Sequence, residues 1–178
     1  MPSVTRGDIL GRTREEAIDI AKSLVGLRSS YHLGAGGDNP NHNNCLSPQA
    51  QCDCSGFVCF CLGLDRYQRD LYKKLGGYLS TAAMVSDANT YQILFRRTAE
   101  PKPGDLIIYP SLYNHGRRMH IGHVGILHQL PNDIGPSVID CNASPHRRNI
   151  GSAIGYSSIS SWIGKEQWCY LEYLKWSE

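Results

Sequence analysis

The run Asp53-Cys54-Ser55-Gly56-Phe57 places a thiol directly after a good helix-capping residue and ahead of an apolar stretch. A thiol is mostly protonated at neutral pH and needs activation before it can act as a nucleophile. As the first residue of a helix capped by Asp53, Cys54 stands where the helix dipole favours a thiolate and unpaired backbone N–H groups lie nearby. Gly56, one turn in, is expected to let a substrate backbone come close. Counting alone favours an inert thiol, since the chain has seven cysteines and a buried cysteine commonly serves as a small apolar packing residue. The case for Cys54 therefore rests on partners elsewhere in the chain.

His123 is the first of these. His32, His42, His115, His120 and His146 fall in polar loop stretches, and His128 comes at a strand end. His123 lies inside Ile121-Gly122-His123-Val124-Gly125-Ile126, a strand-like run whose glycines are expected to leave room over the imidazole. Asp140 and Asn142 are two apart in another strand-like run, so they share a face while Ile139 and Cys141 point the other way. A carboxylate or an amide is what a base histidine needs to fix its tautomer and orientation. A thiol, an imidazole and an orienting group are the parts of acyl transfer through a covalent intermediate.

The elements that must position these residues are legible in outline. Thr13 and Glu16 form a capping-box pattern, followed by Ala17, Ile18, Ala21, Leu24 and Val25 at helical spacing, with Gly26 placed to end the helix. Residues 32–50 read as loop. A second helix starts at Cys54 and presents Phe57, Val58, Phe60, Cys61, Leu62 and Leu64 as a wide apolar face, with Gly63 near its end. A third helical region lies within 65–95, broken around Gly76-Gly77. Strands are predicted at Leu106–Tyr109, His123–Leu127, Val138–Asn142 and Trp168–Trp176. Helices first and strands afterwards, with short connections, argue for an α+β fold with an antiparallel sheet.

Length and composition are those of one globular domain spanning 1–178, with 41% hydrophobic and 19% charged residues. A formal charge of +2 is too small to point to nucleic acid as a partner. No apolar run approaches the roughly 20 residues of a membrane span. The first residues lack the apolar region of a secretory signal, so action outside the cell of origin is expected to use another route of delivery.

Five cysteines crowd together as C-x6-C-x-C-x4-C-x-C from Cys45 to Cys61. Structural zinc wants paired ligand knuckles, and Cys59 and Cys61 lie about 200° apart on a helix, so no metal site is expected. Cys45 and Cys52 are placed to staple the loop before the helix by a disulfide. Cys59 and Cys61 read as packing residues. Two basic clusters, Arg117-Arg118 and His146-Arg147-Arg148, flank strands that carry site residues, and are expected to meet acidic groups of a substrate.

DCSGFV, PKPGDLIIYP, GHVGIL and VIDCN, in that order, resemble the NlpC-type cysteine peptidases and the related CHAP amidases of the papain-like superfamily. The likeness runs from about Tyr31 to Asn142, and its Cys and His motifs are specific together. It implies a papain-like fold, with N-terminal helices packed on a central antiparallel sheet. It implies Cys54 as nucleophile, His123 as general base, and no metal or cofactor. Tyr31 resembles a tyrosine that helps line the oxyanion site, while Asp53 and Ser55 match residues that help hold the substrate. At the third catalytic position NlpC-type enzymes commonly carry a histidine, where this chain has Asp140. CHAP enzymes often show Glu-x-Asn, which Asp140-x-Asn142 resembles with a shorter acid. Asp140 is the expected orienting residue, with Asn142 as assistant or alternative.

The implied substrate is the stem peptide of bacterial peptidoglycan, cut at an amide bond. The setting implied is that of an interbacterial effector toxin or a phage lysin, made in the cytoplasm and delivered to the periplasm or cell wall. The expected partners are a cognate immunity protein or a delivery apparatus, and the expected state is a monomer. The competing functions are the same thiol chemistry on a protein amide (proteolysis, deamidation or acyl transfer), and a binding module that has lost activity.

Overall fold

The first two helices follow directly from their caps. The Thr13 hydroxyl accepts the Glu16 N–H and the Glu16 carboxylate accepts the Thr13 N–H, which opens α1 (Arg14–Leu24). It ends on Val25, one residue before Gly26, which takes the left-handed conformation. The Asp53 carboxylate accepts the Gly56 N–H at 2.8 Å and opens α2 (Cys54–Leu62), and Gly63 closes it at φ +72°. All nine residues of α2 are buried, so the expected apolar face is its whole circumference. Such a helix belongs inside a fold rather than on its surface.

The computed structural model describes residues 11–40, 51–115, 117–130 and 137–177. Around α1 and α2 run β1 (Ser30–Tyr31) and β2 (Gln51–Cys52), a short parallel pair. A 3-10 turn at Lys73–Leu75, ended by left-handed Gly76, precedes α3 (Thr81–Thr90), in line with the expected break. Then come β3 (Phe95–Thr98), β4 (Leu106–Tyr109), β5 (Leu112–Asn114), β6 (Arg117–His120), β7 (His123–Leu127), β8 (Val138–Cys141), α4 (Pro145–Asn149), β9 (Ile154–Ser157) and β10 (Cys169–Tyr173). Six strands form one antiparallel sheet in the order β3-β10-β4-β7-β8-β9. The fold is α+β with a mostly antiparallel sheet.

The sheet has two buried faces. Leu106, Ile108, Val124, Ile126, Ile139 and Cys141 join Phe57, Val58 and Leu62 of α2 in the main core. Ile107, Leu127 and Val138 face the other way and pack on Trp162. His123, Gly125 and Asp140 alternate with the main-core residues and so share the Trp162 side.

The structure corrects the expected element pattern in four places. Helices and strands are not fully segregated, because α4 interrupts β8 and β9. β3, with exposed Arg96 and Arg97, carries no alternation in its sequence because it is a charged edge strand. The stretch around His115 and His120, expected to be loop, is in part the hairpin β5-β6. The expected strands at 138–142 and 168–176 are shorter, since ladder pairing stops at Cys141 and Tyr173.

Candidate active site

The sheet register brings Cys54, His123 and Asp140 together. Cys54 is the first residue of α2, His123 the first of β7, and Asp140 lies in β8. His123 Nε2 stands 2.6 Å from Asp140 Oδ2. That leaves Nδ1 for the thiol, and His123 lies within hydrogen-bonding reach of Cys54. Tyr31 reaches Cys54 from another side. The β1-β2 register, which pairs Tyr31 with Cys52, places it there. Cys54 is nearly buried, whereas 18% of the His123 side chain is open and Tyr31 is half-buried.

The electrostatics of the group are one-sided. Burial alone would push the His123 pKa down, but Cys54 and Asp140 outweigh it and raise it from 6.5 to about 10. Burial would push Asp140 up, but hydrogen bonds from His123, Asn142 and Ser157 hold it below the usual carboxylate range. Burial, with Cys54, Asp53 and Cys141, pushes the Tyr31 hydroxyl up, so it keeps its proton and remains a donor.

Asp140 accounts for its own orientation. Oδ2 takes His123 and the Asn142 side-chain amide at 2.8 Å. Oδ1 accepts the Ser157 hydroxyl at 2.6 Å and Arg147 Nη2 at 3.3 Å. Asn142 therefore holds the carboxylate while the carboxylate holds the imidazole. The ladder explains how so many partners fit. Asp140 pairs with Gly125 on β7 and Gly155 on β9, and directly opposed residues share a face. Two missing side chains clear the space on either side of the carboxylate. A Cβ at residue 125 would lie 3.2 Å from Asp140 Cβ, and one at residue 155 would lie 1.5 Å from Arg147 Nη1.

Several sequence expectations change here. Arg147 does not await a substrate: its side chain is buried, paired with Asp140 and donating to the Tyr156 carbonyl at 2.8 Å. Gly122 and Gly125 do not open space above the imidazole. A Cβ at Gly122 would strike Thr81, Pro110 and Ser111, and one at Gly125 would strike Val138. Trp162 stacks on the imidazole, with ring centroids 5.3 Å apart and planes 23° from parallel. Gly56 does not face a substrate backbone, because the Ala35-Gly36 backbone already occupies the space over its Cα.

Asp53 and Ser55 belong to an internal brace. The two are buried, and Arg66, 2% exposed, donates to Asp53 Oδ2 at 2.8 Å and to Ser55 Oγ at 2.6 Å. The same guanidinium holds the carbonyls of Ala35 and Gly36, and Asp53 Oδ2 accepts the Gly34 N–H. The loop that follows Tyr31 is thus tied to the start of α2. Arg66, Ser157 and Trp162 gave no local sequence signal, and Arg147 was noticed only as part of a basic cluster, because their partners are set by how separate elements pack. Gly155 inside a strand was the one usable hint, because such a glycine marks a close approach.

The other described cysteines sort cleanly. Cys52 is disulfide-bonded, and Cys54, Cys59, Cys61, Cys141 and Cys169 are free. Cys45, the expected partner, and His42 lie outside the described residues. Burial pushes the Cys59 thiol up to about 12 and raises Cys61 and Cys141 as well, which marks these three as packing thiols. Among the described residues no three His, Cys, Asp or Glu side chains cluster to hold a metal ion.

Comparison with protein-family models, curated proteins and solved structures finds no match to this chain. The functional argument therefore stands on the site itself.

Proposed function

We propose that the chain is a cysteine hydrolase of the papain-like kind that cleaves an amide bond in the peptidoglycan stem peptide, with Cys54 as nucleophile, His123 as acid and base, and Asp140 as the group that orients His123. The observation that carries the reading is the single line of contact from Cys54 through His123 to a buried carboxylate with both oxygens engaged. The order of sequence motifs supports the substrate.

The Cys54 proton passes to His123 Nδ1. The thiolate attacks the amide carbonyl, and negative charge develops on its oxygen. The Tyr31 hydroxyl and the Cys54 backbone N–H at the start of α2 are the donors for that charge. The His123 imidazolium, held protonated by Cys54 and Asp140, gives its Nδ1 proton to the leaving amine as the C–N bond breaks. A thioester on Cys54 results. The thiolate charge is then gone, and with it the main influence that raised the His123 pKa, so burial keeps the ring neutral and free to accept a proton. His123 takes a proton from water, hydroxide adds to the thioester, and the acid product leaves with the Cys54 thiol restored. Arg147 and Ser157 keep Asp140 in place throughout.

The test is digestion of purified peptidoglycan, with fragments identified by mass spectrometry. Wild type is expected to release stem-peptide fragments, and Cys54→Ala and His123→Ala to release none while remaining folded. Intact sacculi after prolonged incubation with wild type would refute the substrate. Labelling by iodoacetamide at pH 6 to 7 tests the chemistry separately. Preferential modification of Cys54 that disappears in His123→Ala is expected, and uniform labelling of the free cysteines would refute an activated thiol.

A further inference from the structure

A cavity of about 410 Å³ opens beside the site, between the segment that carries Tyr31 and α4. Tyr31 and Asn142, which touch the two ends of the catalytic line, form part of its wall. Its size lies in the range of roughly 300–1,000 Å³ typical of small-molecule sites. Its walls are tied together. The Ser29 N–H donates to the Gly151 carbonyl at 3.1 Å, the Ala153 N–H to Ser29 Oγ at 2.9 Å, and the Asn142 N–H to the Ala153 carbonyl at 2.9 Å. The cavity is preformed by these bonds.

The charge of the lining is one-sided. Arg28, Arg147 and Arg148 line it, and among the described residues no carboxylate does. Arg147 is committed to Asp140. Arg28 and Arg148 are exposed, and among the described residues neither forms an ion pair. A second cavity, about 230 Å³, lies on the other flank of His123 beside Tyr109 and is lined by Lys165 and Glu166 together. Among the described residues that flank carries both signs of charge, while the first carries only positive charge.

We propose that the cavity beside Tyr31 is a substrate subsite for a peptide residue bearing a free carboxylate, with Arg28 and Arg148 as the specificity-determining groups. The inference rests on the hydrolase reading for its substrate class, and it names what that substrate presents on one side of the cut bond. Guanidinium groups suit carboxylates because they offer paired donors in a planar fork. The exposed arginines select by charge, and the hydrogen-bonded walls between them receive the residue's stem. The cluster predicted from sequence, His146-Arg147-Arg148, thus divides. Arg147 builds the site, and Arg148 with Arg28, from a distant part of the chain, meets the substrate.

Calorimetric titration of the Cys54→Ala chain tests this without turnover. The probes are a tetrapeptide released from peptidoglycan, with its carboxylates free, and the same tetrapeptide with every carboxylate converted to carboxamide. The free acid is expected to bind about tenfold more tightly, as one charge-assisted hydrogen bond warrants. The preference is expected to vanish when Arg28→Gln and Arg148→Gln are added, and to survive Arg117→Gln on the exposed hairpin. Equal binding of the two forms, a preference that survives both arginine substitutions, or no binding of either form would overturn the subsite. Hydrolysis of both probes by wild type is measured in parallel. Equal kcat/KM for the two with equal binding removes the subsite and keeps the hydrolase. A charge preference in binding with no hydrolysis keeps the subsite and removes the hydrolase.

Discussion

Gly155→Ala isolates the device that holds Asp140. The backbone at Gly155 is not in the left-handed region, so alanine brings no conformational strain. The new Cβ would lie 1.5 Å from Arg147 Nη1 and 2.4 Å from Cζ, far inside contact distance, so the guanidinium must leave. Asp140 then loses its buried cation, and the Tyr156 carbonyl loses a donor at 2.8 Å. Breaking a buried ion pair by removing one partner costs about 3–5 kcal/mol. Arg147 can escape toward the adjoining cavity, so about 3 kcal/mol is the appropriate figure, or roughly 6–12 °C in Tm for a chain of this size. Thermal and urea unfolding of wild type, Gly155→Ala, Arg147→Ala and the double variant measure it. The double variant is expected to be no less stable than Arg147→Ala, giving a coupling of about 2–3 kcal/mol, because the three atoms nearest a Cβ at 155 all belong to that guanidinium. A loss below about 0.5 kcal/mol for Gly155→Ala, or simple additivity, would refute the placement of Arg147.

Four further expectations follow from the same geometry. His123 has a raised pKa in the folded state, so its stabilising contribution is complete below pH 6.5 and is lost as pH rises through about 10. The stability difference between wild type and His123→Gln should therefore be flat below pH 6.5 and shrink toward pH 10, and a difference independent of pH would contradict the pairing. The Asp140 contribution has the opposite sign: it is present above the ordinary carboxylate pKa and lost only as pH falls below it. Arg66→Met should cost about 3–5 kcal/mol in unfolding titrations by stranding Asp53, and Arg66→Lys should recover only part of it, since one ammonium cannot span Asp53, Ser55 and two carbonyls. Trp162→Ala should lower the alkaline limit of the proposed hydrolysis by removing the ring stacked on the imidazolium, whereas Trp162→Phe should largely keep it. An unchanged pH profile in Trp162→Ala would exclude that role.

The described cysteines show why one thiol differs from its neighbours. Cys59 and Cys61 are fully buried within the helix that Cys54 begins, where burial holds their protons. Cys54 shares the helix, but its position at the N-terminus brings His123 and Tyr31 to it. Chain position along one helix separates a thiol with polar partners from packing thiols.

Much of this was readable from residues a few places apart. Asp53 as a cap, Gly63 as a stop, the start of β7 at His123 and the common face of Asp140 and Asn142 all reflect forces that act over one helical turn or one strand repeat. Those signals named the thiol, the imidazole and the acid correctly as neighbours-to-be, because each occupies the first turn or the repeat of a regular element. The choice between Asp140 and Asn142 was not readable, since both point to one side. It depends on the β7-β8 register, which pairs Asp140 with Gly125 and leaves its carboxylate 2.6 Å from His123.

What the residues by themselves determined, then, is a capped helix with Cys54 at its start and strands carrying His123 and Asp140. What the tertiary structure alone decided is who surrounds them: Trp162 on the imidazole, Arg147 and Ser157 on the carboxylate, Arg66 on Asp53, and Arg28 across a cavity from Arg148. Caps and alternation are local energies written in adjacent residues. A guanidinium that fits only because a glycine stands opposite on another strand is a property of register and packing, and neither exists until the sheet has formed.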